Sequence, residues 1–449
     1  MFSEFLLNTQ RAKELYNSVE DLPIVDYHNH LSFDDIRANK RYFDVYDLWI
    51  APDPYKHRAM RMCGVDEKYI TGDATSKEKF IKWIDTIPKL IGNPLYIWSL
   101  MELNIIFNID KVPDNRNAKK IYESCNEYLK DNIISVNSLL DKFNVEFACP
   151  CASLIEDISF LKNSTRLSPS LRGDDIVNPS KQFINELEKL TYIKISNLNN
   201  FENAIKKRLK YFKSCGCVFT DHALDNGFKF YNEDDKNDER FISLLNNNIT
   251  ASELEKLSSH ILLFLSQEYA KIGFVMQLHI GAERYTSSVL REKVGPVGGF
   301  ACIGNSVNVD SLTKFLDAVD MCKYGLPKTV LFTLNPSDNA LISVLSGSYH
   351  KDGVKGIITQ GPAWWWCDHK KGIEDMLENA SAFSVLSNFI GMTTDSRSFL
   401  SFVRHDYFRR ILCSWVAEKL DKNEFLCSNE QIKDLLLKLC YKNAKEILK

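Results

Sequence analysis

Short runs of β-branched, aromatic and other apolar residues recur along this chain, separated by longer amphipathic stretches. This alternation is typical of βα units, in which parallel strands form one sheet with helices packed against it. The candidate strands are residues 24–27, 145–148, 218–220, 274–278, 330–334 and 389–393. With 449 residues, the chain is long enough to build one large α/β domain from such units.

Most of these apolar runs end in polar or ionisable residues. These residues are His28, His30, Asp221, His222, His279, Asn335 and Asp395. In a (β/α)8 barrel the chemistry lies at the C-terminal ends of the strands, so the pattern predicts an α/β fold of the distorted (β/α)8 TIM-barrel type. A doubly wound open sheet is the alternative, but its usual glycine-rich GxGxxG turn is absent.

The interval between the first two candidate strands is unusually long. Residues of about 36–115 are charged, aromatic and helical in period, with few strand-like runs. We therefore expect a helical insertion after the first strand. No internal repeat or low-complexity linker divides the chain, so residues 1–449 are predicted to form a single domain.

Charge and hydropathy exclude several classes of partner. Lys plus Arg (56) nearly balance Asp plus Glu (59), which gives a formal charge of -3, and no long basic run suggests a nucleic-acid surface. Neither a signal peptide at the start nor a run of about 18 apolar residues is found, so no membrane association is expected. We predict a cytoplasmic protein.

The twelve cysteines are scattered through a long chain, which favours buried reduced thiols over a disulfide framework. The tight pairs Cys149/Cys151 and Cys215/Cys217 have a single intervening residue. Structural zinc sites and redox motifs usually have two or more, so these pairs do not predict a zinc site.

His28 and His30 close the first candidate strand. Side chains two residues apart on a strand point to the same face, so both imidazoles could bind one metal ion. The alternative is that they are polar caps on a strand end. The further polar residues at other strand ends favour the metal site.

Asp395 and Arg397 follow the last candidate strand. Asp395 offers the anionic ligand expected for a divalent metal, and Arg397 offers a planar fork suited to a carboxylate. Two residues apart, the pair should share one face if the strand continues that far. Three arginines and a histidine that follow are expected to be mainly structural: Arg404, His405, Arg409 and Arg410.

His222 and His279 each follow an apolar run, where a barrel would direct them into the pocket. Either could instead be a core histidine that is hydrogen-bonded internally. Trp365, in the cluster of residues 364–366 near Asp368, could pack in the core or form a wall that excludes water from a sugar site.

Taken together, these segments resemble the uronate (glucuronate) isomerase family, a divergent branch of the amidohydrolase superfamily, nearly from end to end. The matching segments are residues 5–7, 23–31, 55–61, 71–74, 91–96, 221–224, 279–282, 334–336, 394–401 and 404–412.

The resemblance implies a (β/α)8 barrel with a helical insertion and one divalent metal, zinc or else manganese or iron, bound by His28, His30 and Asp395. It also implies an aldose–ketose isomerase that interconverts D-glucuronate and D-fructuronate, and D-galacturonate and D-tagaturonate, in hexuronate catabolism. A homo-oligomer is implied as well.

The implied substrate pocket uses Tyr55, Arg172, His279 and Arg397. Tyr55 and Asp395 are the candidates for proton transfer. The chain departs from the family at Pro54, where members often carry His, and at His57, where Trp is common. The first departure removes a possible acid/base partner and leaves more of that role to Tyr55.

Two other functions fit parts of this pattern. A hydrolase of the same superfamily would use the metal to activate water, but carboxylate-binding arginines and Tyr55 favour a uronate over an uncharged amide. A binding protein without catalysis would not need the metal ligands of the first strand together with Asp395.

Overall fold

The computed structural model describes Phe2, residues 4–232 and residues 234–448. The strands in these residues are β1 Ile24–Asn29, β2 Val145–Ser153, β3 Ser170–Arg172, β4 Phe219–Leu224, β5 Val275–Ile280, β6 Ala282–Glu283, β7 Cys302–Ile303, β8 Thr329–Thr333 and β9 Ile358–Gln360. The α-helices are α1 Gln10–Asn17, α2 Phe33–Arg37, α3 Val45–Trp49, α4 Pro54–Met62, α5 Ser76–Thr86, α6 Pro94–Phe107, α7 Ala118–Asp131, α8 Val136–Lys142, α9 Asp174–Val177, α10 Lys181–Thr191, α11 Leu198–Ser214, α12 Asn237–Leu245, α13 Ala251–Ile272, α14 Ser288–Val294, α15 Val309–Asp320, α16 Asn339–Leu345, α17 Lys370–Phe383, α18 Val403–Asp421, α19 Asn429–Leu437 and α20 Asn443–Ile447. Shorter helical turns span Glu67–Tyr69, Ile87–Leu90, Ser159–Leu161, Pro336–Asp338, Trp365–Cys367, Leu386–Asn388, Phe399–Phe402 and Lys438–Lys442.

Seven strands form one curled parallel sheet in the order β1-β2-β3-β4-β5-β8-β9. Consecutive strands are neighbours and are connected by helical segments, which confirms the predicted α/β fold with its distorted barrel. β6 and β7 form a separate antiparallel ribbon. The sequence pattern missed β3 and β9, each only three residues long.

The candidate strand at residues 389–393 is wrong, because the structure assigns no strand there. This stretch belongs to a closing segment, residues 389–396, which lies beside β1 in place of an eighth strand. Among the described residues, two backbone hydrogen bonds join it to β1 and the residue after it: the N–H of Asp395 donates to the carbonyl oxygen of His28, and the N–H of His30 donates to that of Ser396. Gly391 has a φ of 100°, and a Cβ there would lie 2.6 Å from the carbonyl oxygen of Leu439. The helical turn that contains Leu439 leaves no room for a side chain at Gly391, and the positive φ there departs from the backbone of a regular strand.

The barrel interior is filled by side chains from alternating strand positions. Tyr27, Cys149, Phe219, Val275 and Phe332 belong to one buried cluster there, and the rings of Tyr27 and Phe219 stack at 5.6 Å. The opposite faces of the strands pack against the surrounding helices in two larger apolar clusters. The interior cluster forms a solid floor beneath the C-terminal strand ends.

The connection between β1 and β2 is helical, as the sequence predicts, and the helices extend from Phe33 to Lys142, beyond residues 36–115 on both sides. Trp49 on α3, Trp83 on α5 and Trp98 on α6 are almost fully buried, and the rings of Trp49 and Trp83 meet edge-on at 6.3 Å. No helix in the described part of the chain combines the length and the apolar character that crossing a membrane requires. That the whole chain is one domain stays a prediction.

Candidate metal and substrate site

His28, His30 and Asp395 meet at the C-terminal end of β1. Oδ1 of Asp395 lies 3.1 Å from Nε2 of His28 and 3.1 Å from Nε2 of His30. Donor atoms that share a zinc ion at about 2.0–2.2 Å are separated by roughly 3–3.5 Å, so this spacing fits one divalent metal. Two imidazoles and a carboxylate suit zinc, manganese or iron.

The buried surroundings of these ligands favour a negative charge on Asp395 and a positive charge at the histidines. Burial would raise the pKa of Asp395, but hydrogen bonds with His28 and His30 keep that pKa well below its usual range. Burial opposes a charge on His28 as well, yet its pKa is raised well above the usual value by the nearby Cys151 and Asp221 and by the hydrogen bond to Asp395. The surroundings of His28 therefore favour a positive charge, which a cation can supply.

A buried carboxylate, Asp26, holds the closing segment against β1. It accepts hydrogen bonds from the backbone N of Thr394 at 2.6 Å, from Oγ1 of Thr394 at 2.8 Å and from Oγ1 of Thr393 at 3.0 Å. Its Oδ1 also lies 3.1 Å from Nε2 of His405 on α18. These contacts position Asp395, which follows directly. Asp26 was not among the residues predicted for the site, although an aspartate within an otherwise apolar run before the two histidines was an available signal.

Arg172 and Arg397 line the same cavity as the metal ligands, a space of about 930 Å³. Arg172 ends β3, and its Nε donates to Oδ2 of Asp174 at 3.0 Å. Burial and then the positive charge of Arg172 lower the pKa of Arg397. An anion would relieve the burial and repulsion that disfavour the charge of Arg397. Burial opposes the charge of Arg172 as well, but Asp174 and Asp221 raise its pKa.

His279 faces this cavity from the end of β5. Its Nδ1 lies 2.6 Å from Oδ1 of Asp221 on β4, while its Nε2 has no hydrogen-bond partner among the described residues. Its ring stacks on Phe332 at 4.3 Å and meets Trp364 edge-on at 4.6 Å. Although burial opposes it, the positive charges of His279 and His28 hold the pKa of Asp221 well below the usual range. Asp221 was noted only as a polar strand end in the sequence, and its pairing with His279 required the fold.

His222 turns the other way. It follows Asp221 on β4, so its side chain points to the helical layer, where Nε2 lies 3.0 Å from the hydroxyl of Tyr269. Gly173 lies so close that an added Cβ would come within 2.0 Å of the His222 ring. His222 also lines part of the cavity, and its hydrogen bond to Tyr269 holds the ring toward the helical layer.

Tyr55 enters the cavity from the first turn of α4. Asp53 caps this helix by accepting from the backbone N of Tyr55 at 2.9 Å, and Pro54 occupies the first helical position, where no N–H is needed. The Tyr55 hydroxyl is buried and has no partner within the described residues. Burial, with Asp368 next, raises its pKa well above the usual value, so the phenol stays protonated.

The tryptophans form one wall of the cavity. Trp364 and Trp365 line it, and Trp366 stacks on Trp365 at 5.2 Å and packs edge-on against Tyr55 at 5.2 Å. Arg284, bound to Asp225, lies 5.6 Å over the Trp365 ring. Trp365 therefore contributes to the wall of the cavity as well as to packing.

The remaining basic residues and the cysteines have structural environments. Arg404 donates to Oδ2 of Asp368 at 3.2 Å, while Arg409 and Arg410 bind backbone carbonyls near the N-terminus. All twelve cysteines lie in the described residues and are free thiols.

A curled parallel sheet that carries a His-x-His pair, a carboxylate and two arginines near its C-terminal strand ends is the arrangement of a barrel enzyme, with residues that could hold a metal ion and an anion. Comparison with known proteins gives the family. The glucuronate isomerase family model matches residues 1–448, and the chain belongs to this family. A uronate isomerase from Endomicrobium trichonymphae is 36% identical, covering 99% of this chain and 98% of that protein. One from Bacillus licheniformis is 38% identical, covering 98% and 96%. The crystal structure of uronate isomerase from Thermotoga maritima covers 100% of this chain and 99% of its own at a TM-score of 0.92 and 29% identity.

Proposed function

We propose that this protein is a metal-assisted aldose–ketose isomerase that interconverts D-glucuronate and D-fructuronate, and also D-galacturonate and D-tagaturonate. Family membership supports the reaction type. The observation that carries the proposal is that two arginines and the three candidate metal ligands line a single cavity of about 930 Å³. Such a volume lies within the range of about 300–1,000 Å³ that is usual for small-molecule sites.

The substrate carboxylate binds between Arg397 and Arg172. Each guanidinium offers N–H donors, although the Nε of Arg172 is held by Asp174, and an anion relieves the repulsion that disfavours the charge of Arg397. A uronate differs from a neutral aldose only in this carboxylate, so the arginine pair also provides the specificity. The open chain is held in one orientation relative to the catalytic groups.

His28, His30 and Asp395 would hold the metal, with zinc as the first candidate and manganese or iron as alternatives. A divalent metal held there would supply a Lewis acid for the substrate oxygens. His279 presents its free Nε2 to a substrate hydroxyl, while Asp221 orients the ring from the other side.

Tyr55 and Asp395 divide the proton transfers. Their environments shift the two pKa values in opposite directions, so at neutral pH the carboxyl group is ionised and the phenol is protonated. Asp395 takes the proton from C2 while Tyr55 donates its proton to the oxygen at C1. The resulting enediol then returns its O2 proton to Tyr55 and receives the original proton from Asp395 at C1, which restores both groups. Trp365 and its neighbours limit the access of water to this intermediate.

The reaction is tested by incubating the purified protein, with each divalent metal in turn, with glucuronate and with galacturonate. We expect fructuronate and tagaturonate to form, and both reactions to run in reverse. A neutral aldose such as glucose is the matched control, which should be turned over far more slowly. If no ketose forms from either uronate with any of the three metals, the proposed reaction is refuted.

We further propose that the protein works in the cytoplasm as a homo-oligomer. Its twelve free thiols suit a reducing compartment. Sedimentation analysis of the purified protein gives the assembly state directly.

A further inference from the structure

A cysteine lies between the metal ligands and the Asp221–His279 pair. Cys151 projects from β2, and its Sγ lies 3.5 Å from Nδ1 of His28. The same sulfur lies 3.8 Å from Oδ2 of Asp221, whose other oxygen is 2.6 Å from His279. The candidate ligand atoms of His28, His30 and Cys151 all lie within 4.8 Å of one another.

The position of this thiol relative to the His28 ring is informative. Nε2 of His28 faces Asp395, so Nε2 is the nitrogen that would bind the metal and Nδ1 must carry the proton. Histidines that bind metals almost always donate their second ring N–H to an acceptor, which sets the tautomer and the orientation of the ring. Among the hydrogen bonds of the described residues, Cys151 supplies the partner of His28 Nδ1.

We propose that Cys151 is the positioning residue of the metal site: its Sγ accepts the Nδ1 proton of His28, and its own S–H is directed to Asp221. The two hydrogen bonds are compatible with one another, because the imidazole donates to the sulfur and the thiol donates to the carboxylate. The bridge couples the orientation of a metal ligand to Asp221, which in turn orients His279. This inference rests on the metal site of the proposed function.

The same strand offers a matched control. Cys149 lies two residues earlier on β2, is fully buried in the apolar interior cluster, and belongs to no candidate metal group in the described residues. Replacing either cysteine with Ala removes one sulfur from β2, but only the change at Cys151 removes the bond to His28. A loss of general packing would therefore affect both variants.

The test measures zinc affinity by competition with a chromophoric chelator, beside circular dichroism. For Cys151→Ala and Cys151→Val we expect about 10–100-fold weaker binding, the usual effect of removing such a partner. Cys151→Ser keeps a donor and an acceptor and should stay within about threefold of the parent protein. Cys149→Ala should bind zinc as the parent does. Normal zinc affinity in the Ala and Val variants overturns the proposal.

Cobalt substitution separates hydrogen bonding from direct ligation. If Cys151 only hydrogen-bonds to His28, the cobalt protein should show no intense sulfur-to-cobalt charge-transfer band. If such a band appears and is lost in Cys151→Ala, Cys151 is a metal ligand and the assignment is overturned.

Isomerase assays run in parallel keep the two proposals distinct. If the zinc affinities of the parent protein and the variants follow the expected order but the parent isomerises no uronate, the proposed reaction fails and the role of Cys151 stands. If uronates are isomerised and every variant binds zinc normally, the reverse holds.

Discussion

Replacement of Arg397 by lysine tests the carboxylate site most directly. The substitution keeps one positive charge in the cavity but removes the planar fork, so one of two parallel hydrogen bonds to the substrate carboxylate is lost. A hydrogen bond to a charged group contributes about 1.5–3 kcal/mol, and the lysine ammonium recovers part of it. We expect a loss of about 1–3 kcal/mol in transition-state binding.

That loss corresponds to a fall of roughly 5-fold to 150-fold in kcat/KM for uronates. The substitution also replaces a guanidinium whose pKa is depressed by burial and by the charge of Arg172, so the fold should tolerate it. Steady-state kinetics with glucuronate and with a neutral aldose measure the effect. The slow turnover of the neutral sugar should hardly change.

Arg11→Lys is the matched control, because Arg11 is an exposed arginine paired with Asp421 at 2.7 Å and does not line the cavity. It should leave kcat/KM unchanged. If Arg397→Lys leaves uronate turnover unchanged, or slows the neutral sugar equally, Arg397 is structural and the carboxylate contact lies elsewhere.

Three further predictions concern the metal, the acid and the thiols. His28→Ala or His30→Ala should lose bound metal and activity together while circular dichroism stays near that of the parent, since the barrel core lies below the ligands; full metal occupancy by elemental analysis would remove the assignment. Tyr55→Phe should lower kcat by about 10²–10⁴-fold with metal content unchanged, as expected for loss of a general acid, and a near-normal kcat would exclude that role. Mild reductant should change neither thermal stability nor activity, because all twelve cysteines are free thiols; a large loss of folded protein on reduction would reveal a disulfide.

The sequence alone predicted the barrel and the candidate residues of the site, because both predictions depend on local patterns. Apolar runs that end in polar residues predicted the sheet and the edge where the chemistry lies. The two histidines of β1 needed only the two-residue period of a strand to be placed together. Arg397 was predicted beside Asp395 from the same period, and both line the cavity, but the reason was wrong: Asp395 has a φ of 47°, and no strand exists there.

Only the tertiary structure decided which contacts join these elements. The closing segment is held by Asp26 through Thr393, Thr394 and His405, contacts between residues more than 360 positions apart that no local pattern contains. Likewise, His222 and His279 have the same local setting in the sequence, and strand orientation directs one to Tyr269 and the other to Asp221. In the sequence, Cys151 was paired with Cys149 by their spacing, yet the packing of β2 beside β1 places its thiol next to His28. The periodicity of a sequence predicts which face of a strand a side chain occupies. Which residue of another element it contacts depends on how the strands and helices pack.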